Sequence, residues 1–177
     1  FMVLTGLRPG EAIGLEWSDI SGDTVTIKRS ITVRGRESSG KNDNARRSFI
    51  MSGQAREEIK AQRRLTSDSV RVFGDHLQEQ NLLKRWRKYC EYNKIAPVTL
   101  YELRHTFVSV VKALPDRELQ PIIGHSPSMD TTGVYSHEIA GEMKTISGKI
   151  TNLFDHIISK EKSEEKKSVV KSVVKAQ

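Results

Sequence analysis

The stretch of this chain that most clearly carries the period of a β-strand lies near the start. Val25, Ile27, Ile31 and Val33 alternate with Thr, Lys and Arg, which places every second side chain on one face. Ser21-Gly22-Asp23 ahead of it is a turn signal. The polar run 34–44, with Gly35 and Gly40, reads as a loop or hairpin, and 47–51 reads as a returning strand. After Ser52 the spacing is helical over 53–64, 76–93, 100–113, 116–123 and 138–160, broken around Ala96-Pro97 and Ser126-Pro127-Ser128. The expected fold is therefore mainly α with a small antiparallel β-sheet near the N-terminus, an α+β architecture.

Ahead of the strand, Thr5-Gly6-Leu7-Arg8-Pro9-Gly10-Glu11 reads as a helix-to-helix turn. Gly6 suits the end of one helix and Pro9 the first turn of the next. Ala12, Ile13, Leu15 and Trp17 give that second helix its apolar residues. The opening Phe1-Met2-Val3-Leu4 reads as the end of a helix whose beginning is missing, so a truncated start is expected. Arg8 and Glu11 follow it too closely for a signal peptide.

With 177 residues the chain has room for one domain and a tail. The domain is expected over 1–158. A charged, flexible tail is expected over 159–177, where a Lys/Glu run precedes Ser168-Val169-Val170-Lys171 and its repeat Ser172-Val173-Val174-Lys175. The net charge of +7 points to a polyanionic partner, either nucleic acid or an anionic membrane surface. No apolar run approaches the ~18–20 residues that cross a bilayer. Cys90 is alone, which rules out an internal disulfide and points to a reducing cytoplasm. One cysteine and five scattered histidines give no zinc-ligand spacing, so no metal site is expected.

Four separated segments carry the chemistry. They are Thr5–Glu11 as quoted; Gly40-Lys41-Asn42-Asp43-Asn44-Ala45-Arg46-Arg47; Leu100-Tyr101-Glu102-Leu103-Arg104-His105-Thr106-Phe107; and Ile123-Gly124-His125-Ser126, followed by Val134-Tyr135-Ser136-His137. They contain no phosphate-binding glycine loop, no paired carboxylates and no Ser-His-Asp order. They do offer two arginines, a lysine, a histidine and a tyrosine, each beside a turn or helix start. Two planar guanidinium forks suit the non-bridging oxygens of a phosphodiester. A lysine donates a proton to a leaving alkoxide, and a tyrosine attacks phosphorus and keeps it as an ester. Such a set transfers a phosphoryl group without metal, because the arginines neutralise the charge.

In order and spacing, these segments resemble the catalytic domain of the tyrosine recombinase (phage integrase) family over residues 1 to about 158. The resemblance implies that Arg8 and Arg104 clamp the phosphate and that Lys41 is the general acid for the 5′ oxygen. It implies that His125 assists at the phosphate and that Tyr135 is the nucleophile, forming a 3′-phosphotyrosine. No cofactor is implied. The partner implied is double-stranded DNA, on which copies of the chain assemble. The family's separate core-binding domain would precede residue 1. Tyr101 departs from the pattern: the family usually has His there, three residues before its second arginine. A phenol with a pKa of ~10 is a poor base near neutral pH, so Tyr101 is expected to position or hydrogen-bond.

Three further readings concern support. Glu11, one helical turn from Arg8, is expected to pair with it and orient it. His105, about 100° round the helix from Arg104, is expected to be a buried, hydrogen-bonded support. Trp86, Tyr89 and Tyr92 are expected to form a packing stripe, beside Arg85, Arg87, Lys88 and Lys94 as contacts to phosphates. The apolar positions Ile139, Met143, Ile146, Ile150, Leu153 and Ile157 leave two uses open: core packing within the chain, or docking of the 138–158 helix on a neighbouring subunit.

The expected function is site-specific DNA strand exchange in the cytoplasm. Relaxation of supercoils by a type IB topoisomerase-like enzyme and a non-catalytic DNA-binding or assembly module are the rivals. The charge balance makes a first prediction. Binding to a random duplex falls steeply with salt, by a slope of roughly −0.9 in log K against log salt for each phosphate contacted. A flat response in a salt titration contradicts nucleic acid as the basic face's partner.

Overall fold

The computed structural model describes residues 1–32, 35–38, 46–123 and 139–175. The first two helices form as expected: α1 (Met2–Thr5) and α2 (Pro9–Gly14) flank a turn at Gly6. Gly6 has φ 67°, and its N–H closes α1 on the Met2 carbonyl at 2.8 Å. A Cβ there would also lie 2.4 Å from the Phe107 ring, so both backbone and space call for glycine. A 3-10 turn (Trp17–Asp19) leads into the sheet.

That sheet has three antiparallel strands in the order β1 (Ile20–Ser21), β2 (Thr24–Ile27), β5 (Arg47–Ile50). Gly22 and Asp23 make the tight turn between β1 and β2, with Gly22 at φ 57°. β3 (Ser30–Ile31) and β4 (Glu37–Ser38) form a separate hairpin around Gly35, which has φ 72°. Val25, Ile27 and Ile31 are buried, as their alternation predicts. They do not share one strand, however. The ladder breaks at Lys28-Arg29, where Arg29 turns in to bond Asp19 at 2.6 Å and the Gly14 carbonyl at 3.2 Å. Val33 lies outside the described residues.

The helices that follow are α3 (Gly53–Thr66), α4 (Glu79–Tyr92), α5 (Leu100–Val111), α6 (Asp116–Ile123) and α7 (Ile139–Lys175). The fold is thus mainly helical with a small antiparallel sheet, as expected. A capping box starts α5. The Thr99 hydroxyl accepts from the Glu102 N–H at 3.1 Å, and the Glu102 carboxylate accepts from the Thr99 N–H. Trp86 packs against the core and donates to the Val98 carbonyl at 2.7 Å. The expected stripe fails beyond it: Tyr89 stacks on Trp86 but is mostly exposed, and Tyr92 is 88% exposed. Spacing of three rotates about 60° per step around a helix of 3.6 residues per turn, so such a row leaves the packed face.

The middle of the α7 stripe is used within the chain, while Ile157 and Ile158 are exposed. Ile146, Ile150 and Phe154 are buried in the same core as Leu7, Phe49 and Phe107, and Phe154 stacks on Phe107 with ring centroids 6.4 Å apart. Polar contacts fix the register. Ser147 Oγ donates to the Met51 carbonyl at 2.6 Å, Thr151 Oγ1 accepts from the Gly53 N–H at 2.9 Å, and Lys149 pairs with Glu118 at 2.8 Å. Of the two uses the sequence leaves open, the described helix takes core packing. α7 continues through residues 159–175 without a break, so no change of secondary structure marks the boundary expected at 158. The side chains of 155–164 are all exposed.

Phe154→Ala should therefore remove about 3–5 kcal/mol of stability, the range for truncating a buried aromatic residue, at a urea midpoint independent of protein concentration. A loss under about 1 kcal/mol, or a midpoint that rises with concentration, contradicts the intramolecular docking of α7.

Candidate active site

Glu11 sits on α2, one turn after Arg8, and is buried. Its Oε1 accepts from Arg8 Nη1 at 2.8 Å, and its Oε2 accepts from the Arg8 backbone N–H at 2.9 Å. The same carboxylate receives a second fork from the opposite side. Arg47 Nη1 and Nη2 donate to Oε1 and Oε2, both at 2.9 Å. The expected pairing of Glu11 with Arg8 is present, and Arg47 adds a partner that the sequence reading did not assign.

Arg104 occupies the second turn of α5 and is 7% exposed. Its Nη1 donates to the Gly6 carbonyl, and its Nη2 donates to the Ile123 carbonyl at 2.7 Å. Arg47 Nε donates to the neighbouring carbonyl of Ile122 at 2.7 Å. These last carbonyls of α6 have no partner within the helix, and they carry the negative end of its dipole. Two guanidinium groups thus hold the end of α6, two residues before His125 in the chain. Gly10 allows α2 to lie close to β3: a Cβ there would stand 2.5 Å from the Ile31 carbonyl oxygen.

The charges do not balance. Three guanidiniums, of Arg8, Arg47 and Arg104, surround one carboxylate among the described residues. Burial would raise the Glu11 pKa, but the forks of Arg47 and Arg8 outweigh it and bring it down to about 2. Burial lowers the Arg104 pKa to about 10, and the Arg8 charge pushes in the same direction. Arg104 stays protonated near neutral pH with no carboxylate partner among the described residues, beside an Arg8 side chain that is 39% exposed. An anion arriving here would relieve that excess.

The remaining expectations divide. Tyr101 is 53% exposed on α5 with no hydrogen bond to a described residue. His105 needs correction: it is exposed, because its direction on α5 leads to solvent while Arg104 and Phe107 face the core. Lys41, His125 and Tyr135 lie outside the described residues. Of the other basic residues around Lys41 in sequence, Lys28 is paired with Asp19 at 3.0 Å and Arg47 is buried against Glu11. Arg85, Arg87, Lys88 and Lys94 are exposed on or just after α4. Arg47 had a legible signal: it shares strand parity with Phe49 and Met51, so an inward-facing arginine needed a partner.

Comparisons with known proteins identify the family and the fold. The sequence model of the phage integrase family matches residues 1–142. The chain belongs to that family. A tyrosine recombinase XerC-like protein of Caldanaerobacter subterraneus subsp. tengcongensis is 22% identical over 184 residues, covering 85% of this chain. This chain spans about half the length of that relative, 47%. The Tn1549 transposon integrase, solved in complex with circular intermediate DNA, superposes with a TM-score of 0.62 at 19% identity, over 71% of this chain and 50% of its own. A lambda integrase tetramer bound to a Holliday junction gives a TM-score of 0.52 at 17% identity, over 76% and 41%. Both share the fold.

The linkage at Glu11 has a definite sign. Its pKa is depressed on folding, so its contribution is complete above the ordinary value of 4.5 and is lost as pH falls toward 2. The difference corresponds to roughly 3 kcal/mol. Denaturant titrations between pH 6 and pH 2.5 should show this loss in the parent chain and a smaller one in Glu11→Gln. Equal pH slopes in the two proteins contradict the pairing.

Proposed function

We propose that this chain is the catalytic part of a site-specific DNA recombinase or integrase, which cleaves and rejoins DNA through a covalent phosphotyrosine. The observation that carries this reading is Arg104: a buried cation with no carboxylate partner among the described residues, held by two carbonyls next to Arg8. Such a pair fits the non-bridging oxygens of a phosphodiester, because each guanidinium presents a planar fork and both are oriented before the anion arrives. Membership of the phage integrase family supports the same reaction.

In this mechanism Arg8 and Arg104 clamp the scissile phosphate and offset the charge that builds on its oxygens. The Tyr135 oxygen attacks phosphorus as its proton passes to water. The bond to the 5′ oxygen breaks, and Lys41 supplies that oxygen's proton. His125 assists at a phosphate oxygen. Reversal by a 5′ hydroxyl from another strand rejoins DNA without a nucleotide cofactor, because the phosphotyrosine conserves the bond energy. Glu11 orients Arg8, and Tyr101 would hydrogen-bond or position at the phosphate rather than shuttle protons.

Copies of the chain would assemble on double-stranded DNA. The relatives with DNA support this, the lambda integrase tetramer among them. The mobile-element origin of the Tn1549 integrase favours integration or excision over supercoil relaxation. No helix among the described residues is long and apolar enough to cross a membrane. A DNA-acting enzyme with a lone buried cysteine fits the cytoplasm.

The test is a nicked suicide duplex, on which cleavage becomes irreversible and the adduct accumulates. The adduct should map to Tyr135, vanish in Tyr135→Phe with duplex binding kept, and form equally in excess EDTA. An adduct on Tyr101, or activity that needs magnesium, would sink the mechanism.

A further inference from the structure

Among the described residues, Arg47 is a strongly engaged guanidinium at the site to which the proposed reaction gives no role. Its side chain is 6% exposed. Both Nη atoms are spent on Glu11 and its Nε on the Ile122 carbonyl. It therefore ties three elements together: β5, which carries it; α2, through Glu11; and the end of α6, through Ile122.

Each tie leads to one of the two arginines that clamp phosphate in the proposed reaction. Glu11 is shared atom by atom. Oε1 accepts from Arg8 Nη1 and Arg47 Nη1, and Oε2 accepts from the Arg8 N–H and Arg47 Nη2. A carboxylate gripped by a buried fork cannot rotate to follow Arg8, so Arg8 must align to it. On the other side, Arg47 and Arg104 bond consecutive carbonyls, of Ile122 and Ile123. The distance between the two clamping arginines is thus set through Arg47, by the backbone of α2 on one side and of α6 on the other.

We propose that Arg47 is a positioning residue for phosphoryl transfer, aligning Arg8 through Glu11 and Arg104 through the end of α6. The inference rests on the proposed function, and it assigns to Arg47 no contact with DNA. It needs the shape of arginine as well as its charge. A lysine places one point charge near Glu11, but it cannot hold both carboxylate oxygens and the Ile122 carbonyl at once. Misplacement of a reacting group by an ångström costs on the order of 100-fold in rate.

The experiment compares the parent chain with Arg47→Lys, which keeps the buried charge paired. Its first readout needs no cleavage: the rotation and exchange of the Arg8 guanidinium, followed by nitrogen-15 NMR in the free protein. Arg8 should be restrained in the parent and freed in Arg47→Lys. The second readout is the single-turnover rate of adduct formation on the nicked duplex, alongside the Kd for that duplex. The rate should fall on the order of 100-fold with Kd unchanged within about threefold. In an Arg8→Lys background the same change should cost clearly less, on the order of tenfold, because its route through Arg8 is already lost and only the route through Arg104 remains. Unchanged Arg8 dynamics, a parallel loss of binding and rate, or an equal rate effect in both backgrounds overturns the proposal. A parent chain that restrains Arg8 through Arg47 but forms no adduct overturns the proposed function and leaves the alignment of Arg8 standing.

Discussion

The buried Glu11 carboxylate is the interaction on which the site depends. A carboxylate taken out of water is costly unless its lone pairs are filled. Here four donors from two arginines fill them, and the pKa of about 2 reflects that occupation. Removing either fork leaves charge buried without its partner. The ion pair acts above all as a constraint: it joins α2 to β5 and gives Arg8 a partner that is itself held by Arg47.

The rest of the fold converges on the same point. The capping box at Thr99 and Glu102 starts α5 so that Arg104, one turn on, faces inward beside Phe107. Gly6 lets the α1–α2 turn approach Phe107, and its carbonyl holds Arg104. α7 closes the core behind them through Ile150 and Phe154 and is fastened to the sheet's exit at Met51. The polar site is thus backed by apolar packing, which keeps water away from the Arg47 and Arg104 guanidiniums and makes their charge count for more. What results is a cationic surplus held in place before any anion is bound.

Much of this was legible in the sequence, and the failures have physical reasons. The α1–α2 turn, the returning strand and the helices could be read because glycine, proline and apolar period act locally. The pairing of Glu11 with Arg8 followed from one helical turn of spacing. Arg47 was missed because its partners are 36 and 75 residues away, although its inward parity on β5 marked it. His105 and Tyr92 were misread because periodicity gives a direction on a helix but not what stands opposite. The use of α7 was undecidable for the same reason: an apolar stripe does not say which surface it will cover.

The central claim is that Arg8 and Arg104, pre-set by protein acceptors, receive one phosphodiester. The most direct measurement is a crystal structure of the Tyr135→Phe chain on an intact duplex. A single phosphate should be found with its non-bridging oxygens within hydrogen-bond distance of both guanidiniums and the Glu11 and Arg47 contacts unchanged. A phosphate bound elsewhere, or an Arg104 that keeps only its carbonyl partners when DNA is present, would contradict that claim.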